Sequence, residues 1–195
     1  MPDTGAPWNI PFLDGTELVR AYPAASEDLA DAVAAGLSAA GNAGIGSNVV
    51  QTVKTDVFTT TSSTLTDVTG LTVSITPTSA TAKILVLAYV FSDFSTSIDL
   101  GLLTLTDGSN NNLIVPDSPG SRTGGFHRSQ GQGQSLGATS TFVFLHEPET
   151  TSSFTYKIRA RRNSGTLFVN RNDSEVDTAA FLRAVSTITA IEVAA

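Results

Sequence analysis

The chain has 195 residues, which is enough for one ordinary domain with a short appendage. It contains no Cys, and this excludes a disulfide framework, a thiolate metal site and a Cys nucleophile. The net charge of −7 argues against a nucleic-acid partner, which would need clustered Lys and Arg. We also expect no membrane partner, because no segment approaches the roughly 20 apolar residues that span a bilayer, and no signal peptide, because the N-terminus lacks a basic and an apolar region.

The first 23 residues are rich in Pro and aromatic side chains and predict an extended segment. Pro fixes φ and removes a backbone donor, so the prolines disfavour a helix here. The apolar side chains of this segment have no core of their own, and they either fold back onto the main domain or dock into a partner. They are Trp8, Ile10, Phe12 and Leu13.

Residues 26–40 predict a helix that carries a narrow apolar stripe. Ser26 suits the N-cap position, and acidic residues follow it where the helix N-terminus favours them. Alone in water such a helix would be marginal, so we expect it to pack against another helix or a surface. The stripe consists of Leu29, Val33 and Leu37. With the Gly-rich hinge at 41–48, these elements suggest that residues 1–46 form an N-terminal anchor.

From Val49 to the C-terminus the pattern is that of β-strands. Apolar and polar residues alternate in Leu71–Thr76, as is typical of a half-buried strand, and Asp107-Gly108 is a typical hairpin turn. Eight to ten short strands with regular turn signals predict an all-β head domain over residues 49–195. We expect an antiparallel sandwich of the jelly-roll type.

The strand predicted at Ile84–Phe91 is apolar on both faces. A sandwich buries one face of each sheet, so the second apolar face of this strand needs another cover. Few helices are available in the chain, and we therefore expect a neighbouring subunit there. The side chains of this predicted subunit interface are Leu85, Leu87, Tyr89 and Phe91.

A Gly-rich polar stretch, Pro116 to Gly137, interrupts the strand pattern. Loops longer than about 12–15 residues in a compact domain are usually functional or disordered. We therefore expect variable contacts with a partner in this loop. The side chains best suited to them are Arg122, Phe126, His127 and Arg128.

The sequence offers no catalytic motif in a suitable context. Gly133–Gly137 matches G-x-S-x-G around Ser135, but neither the preceding strand nor the following helix of a nucleophile elbow is predicted. Glu147 and Glu149 form a close Glu pair of the kind that glycoside cleavage uses, yet Pro148 between them indicates a turn. We predict no catalytic residue and no cofactor.

The residues that could form metal or anion sites also have simpler structural interpretations. His127 and His146 are too few for a metal site within one chain, although a threefold axis would supply three copies. The acidic residues at 173, 175 and 177 suit either Ca²⁺ or a polar hairpin tip, and we favour the tip. A cluster at Arg159, Arg161 and Arg162 suits a solvated strand end better than an anion site. We predict no metal site.

Residues 50–56, 67–77 and 79–86 resemble a recurrent β module of tail-fibre, spike and other virion proteins of tailed bacteriophages. Residues 154–158 and 186–192 are similar to its closing strands, and residues 21–33 look like the attachment segments that precede such modules. The resemblance covers roughly residues 49–195. It rests on structural signatures without catalytic content.

The resemblance implies a homotrimer, a jelly-roll-like head and a short N-terminal anchor to the particle. On this basis we expect a non-enzymatic structural protein of the virion, a fibre or spike whose partners are other virion proteins and a glycan or protein of the host surface. Two alternatives remain open. One is a capsid or tail decoration protein without a receptor role, and the other is a lectin-like carbohydrate-binding module.

Overall fold

The computed structural model describes residues 27–36, 48–95, 100–117, 127–130, 137–174, 176–179 and 181–193. The chain divides into two units, Met1–Ala43 and Gly44–Ala195. In the first unit the described residues form helix α1 over residues 27–36, and all of its side chains are exposed. The ends of the helix predicted at 26–40 lie outside the described residues. No helix within the described ranges has the length and apolar character needed to cross a bilayer.

The described residues of the second unit form ten β-strands in two antiparallel sheets. The strands are β1 (Val49–Lys54), β2 (Phe58–Thr60), β3 (Thr66–Ile75), β4 (Lys83–Phe94), β5 (Leu100–Asp107), β6 (His127–Gln130), β7 (Ala138–His146), β8 (Phe154–Arg162), β9 (Leu167–Val169) and β10 (Ser186–Val193). The large sheet runs in the order β1-β10-β4-β9-β2, with β7 also paired to β4. The small sheet runs in the order β3-β8-β5-β6.

The connectivity of the two sheets is that of a jelly roll. Strand β4 pairs with β10 and then with β9 along one edge and with β7 along the other, so the main order of the large sheet is β1-β10-β4-β7. The chain passes from one sheet to the other between β2 and β3, β3 and β4, β4 and β5, β6 and β7, β7 and β8, and β8 and β9. Two packed antiparallel sheets of four main strands with this alternation form a jelly roll. The predicted all-β sandwich is confirmed.

The core lies between the two sheets and follows from the alternation in the sequence. In β10, for example, Ile188 and Ala190 are buried while Thr187 and Thr189 are partly exposed. Strand side chains alternate between faces, so one face of each strand supplies the core. The largest apolar and aromatic contributors are Phe94, Phe142, Tyr156, Leu71, Ile75, Ile84, Leu103, Leu105, Ile158, Leu167 and Ile188.

One close approach in the core requires glycine. A Cβ at Gly101 would lie 2.5 Å from the ring of Phe94 and 2.9 Å from the carbonyl oxygen of Arg161. Strand β5 can therefore pass beneath Phe94 only because position 101 has no side chain.

The strand registers place two sets of loops at opposite ends of the sandwich. Asn48 precedes β1 at one end, where its side chain donates to the carbonyl oxygen of Thr76 at 2.8 Å. Asn170 follows β9 at the other end, where its side chain donates to the carbonyl oxygen of Lys54 at 2.8 Å. We call these the Asn48 end and the Asn170 end.

Two features differ from the pattern expected from sequence. The β-branched run predicted at Val50–Phe58 contributes to two strands, because the chain turns between Lys54 and Phe58 and pairs first with β10 and then with β9. The long stretch from Pro116 to Gly137, predicted as a loop, contains β6. Residues 126–130 are the longest run without glycine in this stretch, and four of these five residues pair with β5.

Candidate interaction surfaces

The face of the large sheet that is turned away from the core carries three aligned rows of side chains. Antiparallel registers join β1, β10, β4 and β7, so that one residue from each strand stands in each row. We call these twelve residues the outer face. Its rows are Val49, Ile191, Leu85 and Leu145; Gln51, Thr189, Leu87 and Val143; and Val53, Thr187, Tyr89 and Thr141.

The outer face is apolar and uncharged. Its first row consists of four aliphatic side chains, and the other two rows add five polar but no charged residues. Val143 is 59% exposed, Val49 52%, and Leu145 49%, whereas Leu85 and Leu87 are half-buried between their neighbours. Exposed apolar patches on a sheet are typical of surfaces that contact another molecule, which makes the outer face a candidate interaction surface.

Three of the four side chains expected at a subunit interface belong to this outer face. Leu85, Leu87 and Tyr89 lie in its three rows, and Tyr89 accepts a hydrogen bond from Thr139 at 3.1 Å. Phe91 does not belong to it, because the chain itself covers this ring and leaves it 6% exposed. A Cβ at Gly137 would lie 2.3 Å from the Phe91 ring, so Gly137, directly before β7, packs on this ring.

Strand β7 contributes a part of the surface that the sequence reasoning missed. It pairs with β4 over its whole length, and within the described part of the chain no strand pairs with its other edge. Its outward side chains are those of Thr139, Thr141, Val143 and Leu145. An uncharged edge strand of nine residues invites pairing or packing with another chain. The alternation of side chains in residues 138–146 is the sequence signal from which this part of the surface could have been predicted.

His146 is the last residue of β7, and its ring lies in an aromatic cluster between the sheets. Its Nδ1 lies 2.9 Å from the hydroxyl of Tyr156, and its ring centroid is 5.0 Å from that of Phe154 and 5.9 Å from that of Phe144. Burial lowers the pKa of His146 from its usual 6.5, although the charges of Asp107 and Glu147 oppose this. Burial also raises the pKa of the Tyr156 hydroxyl. The pair therefore stays neutral near pH 7.

The arginines of β8 hold a loop in place. Arg159 donates to the carbonyl oxygen of Leu65, Arg161 to that of Ser63 and Arg162 to that of Thr61, at 2.7, 3.3 and 2.6 Å. Arg159 and Lys157 also pair with Asp67 at 2.8 and 3.0 Å. The cluster thus fixes the chain between β2 and β3.

The remaining residues singled out in the sequence come together only in part. Trp8, Ile10, Phe12, Leu13, Leu37, Arg122, Phe126, Ser135 and Glu175 lie outside the described residues. His127 and Arg128 belong to β6 and pair with Leu103 and Leu102, so they are in a strand where a loop was expected. Among the residues that the structure describes, no three His, Asp or Glu side chains come together as a metal ion would require.

A second candidate surface is the loop between β9 and β10, which buried polar groups hold in place. Asp93 is 2% exposed and accepts hydrogen bonds from the backbone N–H of Asp173 at 3.0 Å and from the side chain of Asn172 at 3.4 Å. Asn172 in turn accepts from the backbone N–H of Leu182 at 2.6 Å. Buried hydrogen-bonded groups of this kind fix a loop on its scaffold.

This loop encloses a cavity at the Asn170 end of the sandwich. The cavity has a volume of about 190 Å³, and its walls carry two guanidinium groups, one carboxylate, two hydroxyls and one phenyl ring. Val176 and Leu182 on its rim are 55% and 52% exposed. The lining residues are Arg171, Ser174, Val176, Asp177, Thr178, Phe181, Leu182 and Arg183. The sequence reasoning considered residues 173–177 only as a hairpin tip or a Ca²⁺ site.

Comparisons with known proteins leave the family open. No protein-family model matches the chain, and no curated protein matches it. A solved structure described as that of infectious bursal disease virus Gt strain contains a chain that is 12% identical, with a TM-score of 0.39. The match covers 75% of this chain and 38% of the viral chain. A likeness of this extent carries no argument about function, so the proposals below rest on the residues of the chain itself.

Proposed function

We propose that the chain is a non-enzymatic structural protein of a bacteriophage particle that assembles as a homotrimer of fibre or spike type. Its N-terminal unit attaches to other virion proteins, and its jelly-roll head points outward. The observation that carries this proposal is the outer face, which is apolar, uncharged and aligned across four strands. The number of subunits comes from the resemblance to phage β modules.

Packing of the outer face against a second copy supports the proposal energetically. Burying an exposed Val or Leu side chain contributes about 1.5–3 kcal/mol, and Val49, Val143 and Leu145 are each about half exposed in the single chain. The polar members of the face are mainly Thr, whose hydroxyls make hydrogen bonds within a strand pair or across an interface. No charge has to be removed from water when the face is covered.

Helix α1 supports the role given to the N-terminal unit. Leu29 and Val33 lie one turn apart on it and are both exposed. An isolated helix of ten residues is marginal in water, so this apolar stripe needs a partner to persist. A neighbouring virion protein is the partner that the proposal assigns to it.

No catalytic step is part of the proposal. Glu147, a member of the one close Glu pair, forms an ion pair with Lys83 at 2.6 Å on the surface. Glu149 stands in the left-handed backbone region with φ of 52°, as in a tight turn.

Deletion of residues 1–46 tests the attachment. The truncated chain keeps all ten strands, and we expect it to fold, to assemble through its outer face and to be missing from purified particles. Full-length protein in the same particles, detected by mass spectrometry, is the matched control. Incorporation of the truncated chain at the level of the full chain would contradict the proposal.

A further inference from the structure

The loop between β9 and β10 lies on the same side of the large sheet as the outer face. The structure describes it at residues 170–174, 176–179 and 181–185, and we call it the β9–β10 loop. We propose that in the assembled protein the β9–β10 loop of one copy packs onto the outer face of the next copy. This inference rests on the proposed function and deepens it, because it names the second surface of the contact between subunits.

Two side chains show on which side of the sheet the loop lies. Asp93 in β4 and Phe168 in β9 stand opposite each other in the strand register. The next pair in the same register, Phe94 and Leu167, belongs to the core between the sheets. Strand side chains alternate between faces, so Asp93 and Phe168 point away from the core.

The β9–β10 loop covers both of these side chains. The backbone N–H of Asp173 donates to the carboxylate of Asp93 at 3.0 Å, and the Asn172 side chain lies 3.4 Å from the same carboxylate. The guanidinium of Arg171 stacks on the Phe168 ring, with its Cζ 4.2 Å from the ring centroid. Asp93 and Phe168 are therefore only 2% and 9% exposed, although they point away from the core. The loop forms a raised part on this side of the sheet, beside the bare outer face.

This raised part limits how two copies can cover their outer faces. Packed sheets lie about 10 Å apart, and a loop that stands on a sheet takes up this space. If the loops of two copies met each other, they would hold the outer faces apart and leave them in water. If the loop of one copy meets the outer face of another, the apolar rows are covered.

The exposed large apolar side chains of the head are concentrated on these two surfaces. Within the described residues of the second unit, the outer face carries Val49, Val53, Tyr89, Val143 and Leu145. The β9–β10 loop carries Val176, Leu182 and Val185, which are 55%, 52% and 45% exposed. Val115 is the remaining one among the described residues of this unit. Apolar side chains exposed on a loop that buried groups hold in place are suited to contact another protein surface.

The charged groups of the loop are compatible with packing on an uncharged face. Arg171 donates from Nε to the carbonyl oxygen of Asn172 at 2.7 Å and from Nη2 to that of Asp173, so its charge has partners within its own subunit. Asp177 and Arg183 are exposed, and the proposal places them at the solvated rim of the contact. The contact therefore buries no charge without a partner.

A closed trimer also requires two different surfaces in each contact. Around a threefold axis one surface of a copy meets a different surface of the next copy, and the ring closes after three such contacts. The outer face supplies one of these surfaces. The β9–β10 loop supplies the other.

Leu182→Lys tests the loop in the full chain. The Leu182 side chain is 52% exposed, so the folded single chain should tolerate lysine, and circular dichroism checks this. In the proposed contact the ammonium group would be buried against uncharged side chains, which is costly. We expect self-association at least tenfold weaker than that of the unmodified chain, measured by sedimentation velocity. Val115→Lys, outside both surfaces, is the matched control and should associate normally, and Val176→Lys replaces the test variant if Leu182→Lys does not fold.

An equal mixture of Val143→Lys and Leu182→Lys shows which surfaces meet. The first variant keeps an intact loop and the second an intact outer face, so one contact can form between the two. We expect complexes of two chains, in which the variants bind each other at least tenfold more tightly than either binds itself. Mixed association no tighter than self-association would overturn the inference.

The outcomes separate this inference from the proposed function. An unmodified trimer that Val143→Lys dissociates and Leu182→Lys leaves intact would overturn the loop contact but not the assembly through the outer face. A complex of two unmodified chains that both variants dissociate would support the loop contact and contradict the trimer. An unmodified chain that stays single would overturn both.

Discussion

The side-chain amide of Asn170 donates to the carbonyl oxygen of Lys54 at 2.8 Å and thereby joins two parts of the chain that are 116 positions apart. The same amide donates to the carbonyl oxygen of Asp56 at 3.0 Å, and its oxygen accepts from the hydroxyl of Ser186. Asn170 is 1% exposed and has a φ of 66°. One residue thus ties the ends of β1, β9 and β10 together at the Asn170 end of the sandwich.

Two substitutions of Asn170 distinguish the contribution of its side-chain hydrogen bonds to stability from the contribution of its backbone conformation. Asn170→Ala should lower the free energy of unfolding by about 3 kcal/mol, because it removes three buried hydrogen bonds and places Ala at a positive φ. Asn170→Gly loses the same bonds without that strain and should be about 1 kcal/mol more stable than the Ala variant. Urea unfolding followed by circular dichroism measures both. Equal stability of the two variants would show that the backbone geometry costs nothing here.

Val143→Lys tests the outer face directly. Val143 is 59% exposed in the single chain, so lysine should be tolerated in the folded monomer. In an assembled outer face the ammonium group would be buried without a partner, which is costly. We expect the variant to remain folded by circular dichroism and to lose the trimer, as measured by sedimentation velocity.

Val115→Lys is the matched control for this experiment. Val115 is 72% exposed and lies outside the three rows of the outer face. The same substitution there should leave the assembly intact. Loss of assembly in both variants would point to an effect of charge in general and not to the outer face.

Protonation of Glu192 should lower the stability of the head domain in acid. Burial alone would raise its pKa, but hydrogen bonds from Thr78 and Asn48 hold the pKa below its usual 4.5. Its contribution is therefore complete above pH 4.5 and is lost as the pH falls through the lower folded value. Glu192→Gln should cost about 1.5–3 kcal/mol at pH 7 and should flatten the loss of stability below pH 4.5. Thermal unfolding between pH 3 and 7 measures this. An unchanged slope in the variant would refute the role of Glu192.

His146 predicts a second, milder pH effect. Its folded pKa lies below the usual 6.5, so the unfolded chain takes up a proton that the folded chain resists. Stability should therefore decline as the pH falls below about 6.5. His146→Gln keeps a hydrogen-bonding partner for Tyr156 and should remove this part of the decline, with little change at pH 8. Parallel pH profiles for the variant and the unmodified chain would be the contrary result.

Gly101→Ala tests the close approach of β5 to Phe94. The added methyl group would meet the Phe94 ring at 2.5 Å, and the overpacking should cost about 1–3 kcal/mol. Gly36→Ala is the control, since a Cβ there meets nothing within 4 Å. Unfolding of the head, followed by the near-ultraviolet signal of its aromatic residues, should shift only in the first variant. A similar midpoint for both would mean that β5 moves away without cost.

The sequence was sufficient for the fold because period-two alternation is a local signal. Strand β10 alternates residue by residue, and β4 is apolar on both faces, so the sandwich and the apolar outer side of β4 were both predictable. The exclusion of Phe91 was not predictable, because it depends on a contact with Gly137, which is 46 positions away. A local sequence pattern predicts neither the order of strands in a sheet nor a long-range contact of this kind.

The cavity between β9 and β10 could not be predicted from the sequence for a related reason. Arg171 and Arg183 are twelve positions apart and become neighbours only through an isolated bridge. The buried anchors of the loop, Asp93 and Asn172, are 79 positions apart in sequence. In a sequence, buried polar residues that anchor a loop cannot be distinguished from ordinary polar surface residues. The distinction requires the three-dimensional structure.

The most direct test of assembly through the outer face is the absolute mass of the full chain in solution, measured by light scattering. One chain has a mass of 20.2 kDa, and the account predicts a particle three times as heavy that falls to the single-chain mass in the Val143→Lys variant. A mass of 20.2 kDa for the unmodified chain across the accessible concentration range would contradict the trimer.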